Sequence, residues 1–137
     1  MAVVEELLRS EADGAISFGN HKLAKKAKVE DFQHAGDLLK VKTYNEITKL
    51  EKNGMFLYES VPGTSVLTFK ESENSVEFVV EGDQDAQITI GLTDDMEYEV
   101  FIAGKSMGTM KTGLGGKLSL SVELEALGEV PVRIVQV

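Results

Sequence analysis

The stretch that most restricts what this chain can fold into is residues 97–124, EYEVFIAGKSMGTMKTGLGGKLSLSVEL. Within it Leu118, Leu120, Val122 and Leu124 alternate without a fault against Lys117, Ser119, Ser121 and Glu123. Tyr98, Val100 and Ile102 alternate in the same way with Glu97 and Glu99. Successive side chains leave a strand on opposite faces, so a period of two means one buried face and one wet face. The pattern predicts an antiparallel sheet that covers a core on one side only. Gly104 and the glycines of 113–116 fall between these runs, where tight hairpins need positive φ.

The same grammar runs through the whole C-terminal half. Strands are expected at 66–70, 75–80, 86–92, 97–102, 106–112, 117–124 and 130–137, with turn residues at almost regular intervals between them. Short strands spaced in this way predict a β-sandwich of immunoglobulin-like size over 61–137. Pro131 lacks an amide donor, which predicts that the last strand lies at a sheet edge there. Val61-Pro62-Gly63-Thr64 has proline and glycine at the two central positions of a type II turn, and the boundary between 1–60 and 61–137 is placed on it.

The first sixty residues read as a β-rich segment packed on that sandwich. Residues 2–11 fit a strand, although Val3, Val4, Leu7 and Leu8 also fit a helical face. The Asp13-Gly14 turn and the alternating Ala15 to Phe18 behind it favour the strand. A lysine-rich loop follows over 19–28, then strands at 29–34 and 38–44, and a strand or helical turn at 45–50. Asn53-Gly54 is the clearest hairpin signal in this half. Met55, Phe56, Leu57 and Tyr58 are consecutive apolar residues, which predicts a strand covered on both faces. The expected fold class is therefore all-β.

Composition narrows the functional classes. With 137 residues the chain is long enough to bury a core without covalent staples, and with no cysteine it has neither disulfides nor thiolate chemistry. The glutamates near the start do not fit a secretory leader, and no apolar run has the length of a membrane span. A cytoplasmic chain is the default expectation, with export by another route left open. A net charge of −9 argues against general nucleic-acid binding, whose affinity is dominated by phosphate contacts. The charge is unevenly spread: residues 20–52 hold eight lysines against five acids, whereas 53–137 hold fourteen acids against five bases.

Few side chains suggest chemistry. Asp83 and Asp85, and again Asp94, Asp95 and Glu97, could collect around calcium, but aspartate also serves turn geometry and no helix-flanked loop pattern surrounds them. His21 and His34 lack paired ligand spacing and have no nucleophile beside them in sequence, which reads as two surface residues rather than a metal site or a base. Gly113-Leu114-Gly115-Gly116-Lys117 invites a phosphate-loop reading, but a strand rather than a helix follows it. Lys22, Lys25, Lys26 and Lys28, with Lys40 and Lys42, form either a solvated face or a patch for an acidic partner, including the acidic region of a second copy. No catalytic, cofactor-binding or metal-binding residue is assigned.

MKTGLGGKLSLSVEL, KLEKNGMFLYESVPGT and SEADGAISFGN together resemble a family of short proteins from anaerobic Firmicutes that carry the label endosialidase. That resemblance implies sialidase chemistry, in which clustered arginines hold the sugar carboxylate beside an acid–base pair. The chain has only Arg9 and Arg133, at opposite ends, and lysine is a poor substitute for a bidentate clamp. The strand–turn pattern is also similar to accessory β-sandwich modules of carbohydrate enzymes, which implies a glycan met by exposed aromatics, here Tyr44, Tyr58 and Tyr98. The residues themselves favour a non-enzymatic structural or interaction protein that self-associates, with a carbohydrate-binding accessory module as the alternative.

Overall fold

The structure is a computed structural model that describes residues 3–137. It is all-β, with thirteen strands in two antiparallel sheets packed face to face. The strands are β1 (Leu8–Ser10), β2 (Ile16–Phe18), β3 (Ala27–His34), β4 (Asp37–Thr43), β5 (Thr48–Lys52), β6 (Met55–Val61) and β7 (Ser65–Glu71). They continue as β8 (Ser75–Glu81), β9 (Ala86–Gly91), β10 (Glu97–Ile102), β11 (Lys105–Lys111), β12 (Lys117–Val122) and β13 (Glu129–Gln136). One sheet has seven strands in the order β1-β2-β7-β8-β13-β10-β11, and the other has six in the order β12-β9-β6-β5-β4-β3. No helix among the described residues is long and apolar enough to cross a membrane.

Alternation builds the core between the sheets. Leu118, Leu120 and Val122 of β12 are buried while Lys117, Ser119 and Ser121 are exposed, and Val130, Val132 and Ile134 of β13 repeat the pattern. At the centre, Phe18, Tyr58, Phe69 and Phe78 meet mostly edge to face, with the Phe18 and Tyr58 centroids 5.2 Å apart. That geometry matches the positive ring edge to the negative ring face. The Asn53-Gly54 turn is the hairpin expected, with φ of 53° and 78° at its two central residues, as a type I′ turn requires.

The sandwich is not confined to 61–137. β1 and β2 complete the seven-stranded sheet beside β7, while β3 to β6 form most of the six-stranded sheet and join β9. Hairpin patterns are local, but the sheet each hairpin joins depends on partners far along the chain. The turn at residue 61 also differs from expectation. Val61–Pro62 is cis, and Gly63 does not take the positive φ of a type II turn.

Three further expectations are corrected. The strand expected over 2–11 is reduced to β1, because Leu7 takes φ of 72° and the Val4 amide bonds to the Gly19 carbonyl outside any strand. Residue 2 lies outside the described residues. Met55 is 72 % exposed, so β6 is not covered on both faces. Instead Leu50 pairs with Tyr58 and Glu51 with Phe56, which leaves Leu57 as an extra residue in a bulge and lets Leu57 and Tyr58 both turn inward.

Finally, β13 lies between β8 and β10, so Pro131 sits in an inner strand. Its carbonyl accepts from the Ala103 amide in the turn that ends β10. The N and C=O of one strand residue face the same side, so the missing donor falls where β10 has already turned away.

Candidate functional site

The histidine expected on the surface, His21, is only 4 % exposed. It follows the turn after β2, where Gly19 takes φ of 95°, and it packs against Ser65 at the start of β7. His21 Nδ1 lies 2.7 Å from Ser65 Oγ, and the His21 amide donates to the same oxygen at 3.3 Å. On its other side Nε2 has no hydrogen bond and sits 3.8 Å from Asp83 Oδ1. Lys22 holds Asp83 with Nζ 2.8 Å from both carboxylate oxygens.

Hydroxyl, imidazole and carboxylate thus stand in the order of a nucleophile, a base and its orienting acid. Ser65 is nevertheless 0 % exposed, and its Oγ already accepts the His21 amide. A hydroxyl closed off from solvent does not reach a substrate carbonyl, so in this conformation the group is an internal strut. Sequence reading missed it because Ser65 is 44 residues from His21. His34 instead bridges β3 to the first hairpin, with Nδ1 2.7 Å from Ser10 Oγ and Nε2 3.0 Å from the Gly14 carbonyl.

The strut has a pH consequence. Burial lowers the His21 pKa, the Asp83 carboxylate opposes this, Lys22 adds to it, and Glu81 opposes it. Below about pH 6.5 the unfolded chain takes up a proton that the folded chain refuses, so stability falls as pH falls through that window. Asp83, held below the usual carboxylate range chiefly by its hydrogen bond from Lys22, loses its contribution only in the more acidic carboxylate range. Urea midpoints measured from neutral to mildly acidic pH are therefore expected to drop in the wild type and less steeply in His21→Asn. Parallel slopes would contradict the assignment.

A polar seam runs inward from this point. The Asn20 amide donates to Thr43 Oγ1 at 2.9 Å, Thr43 Oγ1 lies 2.9 Å from Thr48 Oγ1, and the Thr48 hydroxyl donates to the Thr64 carbonyl at 2.7 Å. Thr64 Oγ1 in turn lies 2.7 Å from the Tyr58 hydroxyl and 2.8 Å from Ser60 Oγ. Buried hydroxyls satisfied in this way cost little and tie the sheets in one register.

Of the acids expected in turns, Asp85 ties one turn to another segment. Asp85 Oδ1 accepts the Leu124 and Glu125 amides at 2.9 and 3.0 Å, which ties the β8–β9 turn to the loop after β12. Glu123 and Glu125 in that loop and Glu129 at the start of β13 are exposed. Asp95 pairs with Lys111 at 3.3 Å. Among the described residues no three His, Asp or Glu side chains group as metal ligands. The 113–116 glycines form the β11–β12 turn, where a Cβ on Gly116 would run into the Leu92 carbonyl.

Two of the depressions among the described residues are large. A cleft of about 510 Å³ opens at one end of the sandwich between Met55, Phe56, Val76, Leu92 and Tyr98. A basin of about 690 Å³ lies on the outer face of the seven-stranded sheet, with Val79, Phe101 and Pro131 beside Lys70, Glu77 and Arg133. Tyr58 and Tyr98 are buried, and Tyr44 is half-buried with Lys26 Nζ 5.8 Å from its ring centroid. The three tyrosines therefore do not form a stacking platform. Arg9 on β1 and Arg133 on β13 are four strands apart, and each is engaged by glutamate, Arg9 by Glu6 and Glu11 and Arg133 by Glu77.

The lysines divide. Lys22 goes to Asp83 and Lys26 to Tyr44, while Lys28, Lys40 and Lys42 reach the outer face of the six-stranded sheet. Lys49, outside the group expected from sequence, joins them through strand register. Lys42 pairs directly with Lys28 on β3 and with Lys49 on β5. Glu30 takes Lys28 at 3.1 Å and Lys40 at 3.7 Å, and Glu51 takes Lys49 at 3.9 Å. Lys42, in the middle of the row, has no carboxylate within ion-pair distance among the described residues. No family model matches the chain, and neither the curated proteins nor the solved structures gave a similar one.

Proposed function

We propose that this chain is a non-enzymatic interaction protein that associates with copies of itself through opposed charged surfaces. The observation that carries this reading is the row Lys28–Lys42–Lys49, three cations in register across neighbouring strands on a protein of net charge −9. Like charges directly opposite in a sheet destabilise it, and an acidic surface laid over the row relieves that repulsion. The acidic end around Asp85, Glu125 and Glu129 of another copy has the complementary sign.

Light scattering at low and high salt tests the reading. A defined oligomer is expected at low salt, loosening as salt screens the exposed charges. Lys42→Glu is expected to remove the low-salt oligomer while the unfolding midpoint moves little, since a half-exposed sheet-face substitution changes stability by about 0.5 kcal/mol. A monomer at both salts would overturn it. The resemblance to endosialidase-labelled proteins and to carbohydrate-enzyme accessory modules points instead to a glycan. The basin beside Phe101 and Arg133 is where that alternative would place the sugar.

A further inference from the structure

Two open sheets have four edges, here β1, β11, β12 and β3. Exposed edges template the addition of further strands, and proteins blunt them by shortness, bulges or charge. β1 has only three residues. β3 is broken by a register shift between Val29 and Phe32, with Asp31 at φ of 56°. β11 carries a bulge at Met107-Gly108, with Gly108 at φ of 91°. β12 is neither short nor bulged, and the one charge within it is Lys117 at its first residue. Its six residues pair with β9 without a shift, and no backbone hydrogen bond among the described residues reaches its other side.

The direction of its free amides follows from one bond. The Leu92 amide donates to the Gly116 carbonyl, so residues 116, 118, 120 and 122 bond towards β9 by antiparallel alternation. Lys117, Ser119 and Ser121 therefore present N–H and C=O outward, and their side chains lie on the exposed face. We propose that β12 is a self-complementary edge that pairs antiparallel with β12 of a second copy, joining two six-stranded sheets across a two-fold axis at Leu120. This rests on the self-association proposed above but uses a different surface.

The sequence carries the register. Opposite side chains must share a face, so the axis passes through a residue rather than between two. With the axis at Leu120, Ser119 faces Ser121 of the second copy, Leu118 faces Val122, and Lys117 faces Glu123. Each charge meets its opposite and Leu118 meets Val122 twice over by symmetry, while Leu120 meets its own copy once on the axis. An antiparallel pair also brings the start of one strand beside the end of the other. Leu114, 96 % exposed just before β12, comes towards Leu127 of the second copy, 58 % exposed just after it.

Sedimentation at high salt tests this, because screening removes the attraction between exposed patches but not backbone hydrogen bonds. A dimer is expected that Ser119→Pro converts to monomer, since this substitution deletes an amide with no partner inside one copy. Ser119→Ala should remain dimeric. At lower salt, where exposed charges are not screened, Glu123→Lys should weaken the dimer about tenfold by setting like charges opposite at two symmetric places. Adding Lys117→Glu should restore it. Lys117→Glu alone is the control, because Lys117 also lies 4.6 Å from the Phe56 ring centroid.

Amide exchange of the unmodified protein gives an answer that needs no variant: Ser119 and Ser121 should exchange more slowly as concentration rises. Fast exchange at every concentration, or a dimer indifferent to Ser119→Pro, would overturn the proposal. Loss of the low-salt oligomer in Lys42→Glu with Ser119→Pro silent would leave charge association standing alone. The reverse pattern would leave only the edge pairing.

Discussion

Tyr58→Ala is expected to lower the unfolding free energy by about 4 kcal/mol, the largest loss from any one side chain in this core. Tyr58 is 0 % exposed, and its ring meets Phe18, Phe69 and Phe78 with centroids 5.2, 6.4 and 5.8 Å away. Truncation removes the ring's burial and strips three neighbours of an edge-to-face partner at once. It also removes the hydroxyl that lies 2.7 Å from Thr64 Oγ1. Burial raises the phenol pKa, so this hydroxyl stays protonated and the seam stays neutral.

Tyr58→Phe divides the effect. It keeps the ring contacts and deletes only the polar link, and Thr64 Oγ1 keeps Ser60 as a partner 2.8 Å away. A loss of about 1 kcal/mol is expected for it. Urea unfolding of both variants checks the division. A domain of this class has a total stability of only about 5–15 kcal/mol, so the alanine variant should sit close to its unfolding threshold. If the two variants lost equal stability, the seam rather than the ring cluster would govern the core.

How much of this was legible in the sequence depends on the range of the interaction. Leu118 to Leu124 declared its strand because alternation is a property of neighbours in the chain. Asn53-Gly54 declared its hairpin because positive φ is a property of those two residues. The bulge at Leu57 was illegible because it is a slip in pairing between β5 and β6, which leaves only an apolar run as its trace. Pro131 misled for a related reason: the rule about edges concerns a missing donor, and that donor's side of β13 is open only where β10 has turned away.

The sites follow the same logic. The Lys22 to Lys28 run is conspicuous in the sequence, yet the row that forms is Lys28–Lys42–Lys49, assembled by register across three strands. Ser65 meets His21 by a contact that no local pattern encodes. The β12 edge lies between these cases. KLSLSVE is visible as text, but its self-complementarity has meaning only once β12 is known to be an edge with Ser119 and Ser121 facing outward.

Gly63→Ala is the second large effect expected, a loss of about 3 kcal/mol. Gly63 has no positive φ, so the need for glycine there is spatial: a Cβ would run into the Tyr44 carbonyl. Backbone cannot swing aside as a flexible side chain can. The Gly63 amide donates to the Asn45 carbonyl at 3.0 Å, which latches the β6–β7 turn onto the β4–β5 connection. One residue on, the Thr64 amide and carbonyl are both engaged by Thr48 Oγ1, so a displaced Gly63 also strains the seam that reaches Tyr58. Gly54 supplies the contrast, with φ of 78° and open space for at least 4 Å around the position an added methyl would take. Gly54→Ala should cost only about 1 kcal/mol of left-handed backbone strain. If thermal unfolding showed equal losses at both positions, conformational strain and not the Tyr44 carbonyl would set the requirement at residue 63.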